Sequence, residues 1–181
     1  MREWDFTLIV DGDVTNEVVL DKLAEHGAED ATFGIAAGVA YADFSREAAS
    51  LPAAVMSAIH DVEGVPGISV LRVEPDDLVT QAEIAERLDR SREGIRLLAA
   101  GHRGKGTFPA PVSHLRARSR LWRWSDVARW AGLFSQEEER DARFVAMVND
   151  ALDLRRLRRQ ATQPDEEGMD VVSSLVRADQ T

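Results

Sequence analysis

The segment Thr80-Gln81-Ala82-Glu83 constrains this chain more tightly than any other four residues. It is a capping box. The Thr80 hydroxyl can accept from the backbone N–H of residue 83, and the Glu83 carboxylate can reach back to the N–H of Thr80, so a helix must start here. Ile84, Ala85 and Leu88 then fall on one face, with a small residue where a second helix has to come close. Leu88-Asp89-Arg90 reads as a short turn, Ser91 as the cap of a following helix, and Ile95 and Leu98 as its inward face. Two short helices across three residues form a helix-turn-helix pattern.

The charge distribution gives this pattern a direction. From Thr80 to Trp130 the chain has 11 Lys and Arg against 5 Asp and Glu, whereas residues 1–79 have 4 against 16. A basic island in an otherwise acidic chain suits a polyanion. Arg92, Glu93 and Arg96 lie near the start of the second helix and off its apolar stripe, where a recognition helix meets base edges in a major groove. Downstream, Gly101-His102-Arg103-Gly104-Lys105-Gly106 reads as a flexible basic loop, and Phe108-Pro109-Ala110-Pro111-Val112 as an extended segment. Arg116-Ala117-Arg118-Ser119-Arg120 is a basic tip, Leu121-Trp122-Arg123-Trp124 a second strand, and Ser125 the expected cap of a helix reaching Trp130. Strand, tip and strand make a wing whose arginines would grip phosphates without reading sequence. Trp122, Trp124 and Trp130 are expected to pack the wing onto the helices.

Together, the segment from Val79 to Leu88, the Ser91-Arg92-Glu93 helix start, Phe108-Pro109-Ala110-Pro111 and the segment from Leu121 to Val127 resemble the winged helix-turn-helix of the MerR and excisionase group, especially its small actinobacterial members. The resemblance covers about 50 of the 181 residues. It implies binding to double-stranded DNA without catalysis, by a transcriptional regulator or an excisionase-like architectural factor. One departure is Asp89, where relatives usually carry Gly; Asp tolerates the left-handed conformation better than most residues.

The region before the island reads as a separate unit. Phe6, Leu8 and Val10 alternate as a strand, Thr15 is the expected cap of a helix through His26, and Ala31 to Ala36 with Val39 to Ser45 read as a hairpin around Ala37-Gly38. Ser50 and Pro52 start a helix from Leu51 to Val62, Gly64 stops it, and Ile68 to Glu74 is a last strand. The order βαββαβ predicts a ferredoxin-like split motif. Pro75-Asp76-Asp77 would be a short hinge. Asp11 and Asp13 flank a glycine, but two carboxylates make a poor cation site and a solvated turn is the better account.

Beyond the island, Glu137-Glu138-Glu139 suits the positive end of a helix, and Arg155-Arg156 with Arg158-Arg159 suits its negative end. Phe144, Val148, Ala151, Leu152 and Leu154 would form an apolar face for packing or dimerisation. The tail from Gln160, broken by Pro164-Asp165-Glu166-Glu167-Gly168, reads as disordered.

The expected class is therefore α+β: residues 1–75 a ferredoxin-like βαββαβ domain, 78–134 a winged helix-turn-helix domain, 135–159 an amphipathic helix and 160–181 an acidic tail. Catalysis is not expected. There is no cysteine, the four histidines (His26, His60, His102 and His114) lack metal-ligand spacing, and Lys105 is followed by Gly106 where a phosphate loop needs Ser or Thr, so neither a cofactor nor a metal is assigned. No apolar run approaches a membrane span and the first residues do not read as a signal peptide, which suggests a cytoplasmic, nucleoid-associated protein. The leading expectation is a sequence-specific regulator acting as a homodimer. Arg92, Glu93 and Arg96 would be at the bases, and Thr80, Ser91, Arg103, Lys105, Arg116, Arg118, Arg120 and Arg123 at the backbone. The alternatives are an antitoxin-like module that neutralises a protein partner through its acidic N-terminal domain or tail, and control by a small-molecule effector held in the N-terminal domain.

Overall fold

A computed structural model describes residues 1–101, 107–113, 120–133, 135–160 and 174. The chain is α+β. Strand β1 (Arg2–Asp11) leads into α1 (Glu17–Leu23), which continues as a wider π-helical turn over Ala24–Ala28. Strands β2 (Ala31–Ala36) and β3 (Val39–Ala48) form a hairpin, followed by α2 (Leu51–Glu63) and β4 (Ser69–Glu74). The four strands make one antiparallel sheet in the order β2-β3-β1-β4. The hairpin turn falls at Ala37-Gly38, both with positive φ (51° and 80°), as a two-residue turn that follows the twist of its strands requires.

Alternation along β1 explains which face is buried. Trp4, Phe6, Leu8 and Val10 point into a core with Ala42 and Phe44 of β3 and Val70 and Val73 of β4, and Ala54, Val55, Ala58 and Val62 of α2 close it from above. Phe6 and Phe44 stack at 5.3 Å. Arg46, opposite Trp4, is a buried charged residue on this inner face. Its guanidinium donates to Asp30 at 2.7 and 2.8 Å, to Asp61 at 2.7 Å, to Ser57 Oγ at 3.0 Å and to the Gly27 carbonyl at 2.7 Å. These bonds join β3, α2 and the end of the π turn, and they raise the Arg46 pKa, the Asp30 bond first.

The helix cap expected at Thr15 falls one residue later. The Thr15 N–H and hydroxyl both donate to Asp13, at 3.0 and 2.6 Å, and this tight turn delivers Asn16, whose side chain accepts from the N–H of Val18 at 3.0 Å. Asp13 is thereby held below the usual carboxylate range, by the Thr15 hydroxyl first. Ser50 caps α2 as expected, accepting from the Ala53 N–H at 3.3 Å.

After β4 come β5 (Leu78–Thr80), α3 (Gln81–Arg87), α4 (Arg92–Ala99), β6 (Leu121–Arg123), α5 (Trp124–Ala131) and α6 (Gln136–Gln160). A second core gathers Val79, Ile84, Ala85, Ile95, Leu98, Phe108, Trp122 and Val127. The strand at Leu121 pairs with β5, before α3, and reaches the Phe108–Val112 segment through a single bridge at Ser113 and the Val112 N–H, which donates to the Leu121 carbonyl at 2.8 Å. Trp122 is fully buried with its Nε1 donating to the Pro109 carbonyl at 3.1 Å, and Phe108 meets Trp130 edge-on at 5.0 Å, so the tryptophans pack as expected.

Helix α6 does not stand apart as an interface. It lies along β4, with Val145 and Leu152 inside the first core and Phe144 and Val148 against it. Ala151, expected inward, faces solvent, and the middle of the buried stripe is Asn149. Its amide accepts from the Val73 N–H at 2.8 Å and donates to the Val73 carbonyl at 2.9 Å, answering the open edge of β4 much as another strand would. Further along, Arg155 donates to Glu63 at 2.8 Å and to the Val70 carbonyl at 2.9 Å, and Arg72 reaches Asp153 at 3.1 Å. No helix among the described residues is long and apolar enough to cross a membrane. Of the acidic tail expected to be disordered over 160–181, Gln160 is the last residue of α6, and the rest lies outside the described residues, Ser174 excepted.

Replacing Arg46 by Met should strand Asp30 and Asp61 beside the core and cost about 3 kcal/mol in urea unfolding. An unchanged unfolding midpoint would show that this network contributes nothing to stability.

Candidate nucleic-acid interface

The capping box is present in both directions. Thr80 Oγ1 accepts from the Glu83 N–H at 3.3 Å, and Glu83 accepts from the Thr80 N–H at 2.7 Å. Those bonds hold the Glu83 carboxyl below its ordinary range, the backbone bond first. Helix α3 ends at a turn in which Asp89 takes a positive φ of 47° and the Arg90 N–H donates to the Ala85 carbonyl at 2.8 Å. Ser91 then caps α4, its Oγ accepting from the Gly94 N–H at 3.0 Å. Gln81 fastens the two helices together by donating from its side chain to the Arg92 carbonyl at 2.7 Å. With Ile95 and Leu98 buried against Ile84 and Ala85, the outer face of α4 is presented to solvent on a firm base.

That outer face carries Arg92, Glu93 and Arg96, all exposed. Glu93 and Arg96 are locked together: Nε and an Nη of Arg96 donate to the two oxygens of Glu93, each at 2.7 Å. The fork lowers the Glu93 pKa and raises that of Arg96. Arg92 has no ion pair among the described residues. The same holds for Arg90, on the other side of the Ser91 cap, and for exposed Arg120. Two unpaired guanidinium groups therefore flank a helix N-terminus whose free N–H groups already favour an anion.

The other arginines of the basic island that lie among the described residues are engaged. Arg87 stacks over the Trp124 ring at 4.9 Å. Arg129 ties α5 to α6 through Glu139 at 2.6 Å and also meets Asp126 at 3.2 Å. Arg123, expected at a phosphate, lies 3.5 Å from buried Asp77. Of the other residues expected at a backbone, Arg103, Lys105, Arg116 and Arg118 lie outside the described residues, as does most of the basic tip.

Asp77 decides how this helical pair sits on the rest of the chain. Its carboxylate accepts from the Ser125 N–H at 2.7 Å and from the Ser125 hydroxyl at 2.8 Å, and its carbonyl accepts from the Trp124 N–H at 2.6 Å. Ser125 is therefore not the cap of α5. That helix starts at Trp124, with Arg123 in the cap position two residues before the expected one, and a residue 48 positions away supplies the acceptor for its first turn. The segment expected as a hinge is in consequence a tie, with Arg72 and Asp76 forming a further ion pair beside it. Arg90, Gln81 and Asp77 all escaped the sequence reading. Arg90 was absorbed into the turn, and the partners of the other two become visible only once distant segments meet.

Among the described residues no group of three or more His, Asp or Glu side chains is placed to hold a metal ion. No family model matches the chain, and neither a curated protein nor a solved structure matches it significantly.

Replacing Asp77 by Ala should leave the Ser125 N–H and hydroxyl without their buried acceptor. We expect a loss of about 2 kcal/mol in chemical unfolding and faster amide exchange at Ser125. Retained protection at that amide would disprove the capping role.

Proposed function

We propose that this chain is a sequence-specific double-stranded DNA-binding protein, a transcriptional regulator in which a ferredoxin-like N-terminal domain carries a winged helix-turn-helix domain of the MerR and excisionase type. The observation that carries this reading is the exposed start of α4. There the unpaired Arg90 and Arg92 flank the Ser91 cap on a helix whose opposite face is fixed to α3. A phosphate at this N-terminus would meet the Arg90 cation, free backbone donors and the Ser91 hydroxyl proton together. Arg92, Glu93 and Arg96 would face the base edges from the same helix.

The Glu93–Arg96 fork gives the proposed reading head a default state. In free protein each group satisfies the other; on DNA the guanidinium would exchange a carboxylate for the two acceptors of a guanine, and Glu93 would be released to accept from a cytosine amine. Wrong sequences then leave the fork closed and offer little in return. Arg120 and the other basic residues of the wing would hold the backbone, in a cytoplasmic, nucleoid-associated protein.

A homodimer fits this reading, with half-sites about one helical turn or a multiple apart. Its support is β2, the sheet edge that α6 does not cover, where Ile35 is exposed, with exposed Val39 at the start of β3 beside it.

The test is binding of the full-length chain to a duplex from its own promoter and to a scrambled duplex across a salt series. Arg96→Ala should cut the preference between duplexes about tenfold at one base position. Arg90→Ala should weaken both duplexes alike and reduce the salt slope by about one. Equal losses on both duplexes for both variants would reject this division of labour, and absence of binding to either would reject the DNA reading.

A further inference from the structure

A cavity of about 510 Å³ opens where the start of β1, the end of β4 and its following linker, the first residue of α5 and the N-terminal half of α6 meet. Its volume falls in the range of pockets that enclose small organic ligands. The lining combines two chemistries. Trp4, Phe6 and Trp124 supply aromatic surface, and carboxylates outnumber basic groups, Arg2 being the one arginine. Four of those carboxylates are already bonded to neighbours, and Glu137 faces Arg2 at 3.7 Å. The Asp141 side chain has no hydrogen bond or ion pair among the described residues. The Asp141 carboxyl is pushed above its ordinary range, by burial first and by the neighbouring Glu137 second. A cation placed there would reverse that direction.

The cavity also contains an internal example of what it can hold. The guanidinium of Arg2 lies 4.2 Å from the centroid of the Trp4 ring while facing Glu137, with most of its side chain exposed at the mouth. A cation over an indole face with a carboxylate at hand is the arrangement by which proteins retain alkylammonium groups. Here the chain supplies that cation from its own second residue, on a flexible stem that can be displaced.

We propose that this junction cavity is a binding site for a small organic cation, an ammonium or guanidinium head on an aromatic or apolar body, with the head over Trp4 beside Glu137 and Asp141 and the body against Phe6 and Trp124. The charge excess of the lining selects the sign of the ligand, and the aromatic surface selects an organic ion over a hydrated inorganic one. Because the walls come from the sheet, α5 and α6 together, an occupant would join the two units of the chain. The site does not depend on the nucleic-acid reading, and its test contains no DNA.

The probe is benzyltrimethylammonium, titrated into the full-length protein by calorimetry, with phenylacetate as an anion of similar size and shape. Saturable one-to-one binding of the cation and none of the anion is expected. The double variant Glu137→Gln/Asp141→Asn should weaken the cation about tenfold. Arg2→Ala, which removes the internal competitor at an exposed position, should tighten it several-fold. Should the double variant fail to fold, Arg2→Ala alone decides. No saturable binding to the wild type or to Arg2→Ala, equal binding of phenylacetate, or affinity unchanged in Arg2→Ala would overturn the proposal.

Discussion

An exposed sheet edge is a row of donors and acceptors that must find partners, and the fold is arranged around that requirement at β4. The strand is too short and too central to the chain's path to be left open, and α6 closes it with a side chain instead of a backbone. Asn149 can do this because its amide presents an acceptor oxygen beside an N–H donor, as a residue's own backbone does. With the edge closed there, Val145 and Leu152 complete the sheet's core, and Arg155 and Arg72 fix the helix lengthwise. The two hydrophobic cores are then held in one relation by a helix that belongs to the first and leads out of the second.

Asp77 adds a second fixed point. A buried carboxylate with one nearby cation is costly unless its remaining lone pairs are filled, and here the first turn of α5 fills them. The same contacts satisfy helix donors that would otherwise be orphaned. The linker and the helix thus solve each other's problem, which is why a segment composed like a hinge is held firmly.

How much of this was legible in the sequence depended on how local the deciding interaction is. The capping box, the Ser91 cap, the left-handed Asp89 and the Ala37-Gly38 turn are settled within a few residues, and each is found where the pattern puts it. Alternation along β1 gave the buried face for the same reason. Ser125 and Thr15 look like caps on composition alone, but Asp77 and Asp13 compete for them, and that competition is decided by three-dimensional placement. Asn149 is the clearest omission. A polar residue in the middle of a helix reads as solvent-facing by hydropathy, and nothing short of the neighbouring strand reveals otherwise. The outward positions of Arg92, Glu93 and Arg96 followed from helical period, whereas their mutual pairing required rotamers.

The order in which the chain emerges during synthesis gives the position of α6 another meaning. The sheet is complete by Glu74, and the helical pair that follows is built from contacts close in sequence, which form quickly. The segment that covers β4 arrives only with residues 136–160. Until then the nascent chain carries a finished sheet with a bare rim and an unfilled patch of its core, so the protein is vulnerable to association for as long as α6 is still inside the ribosome.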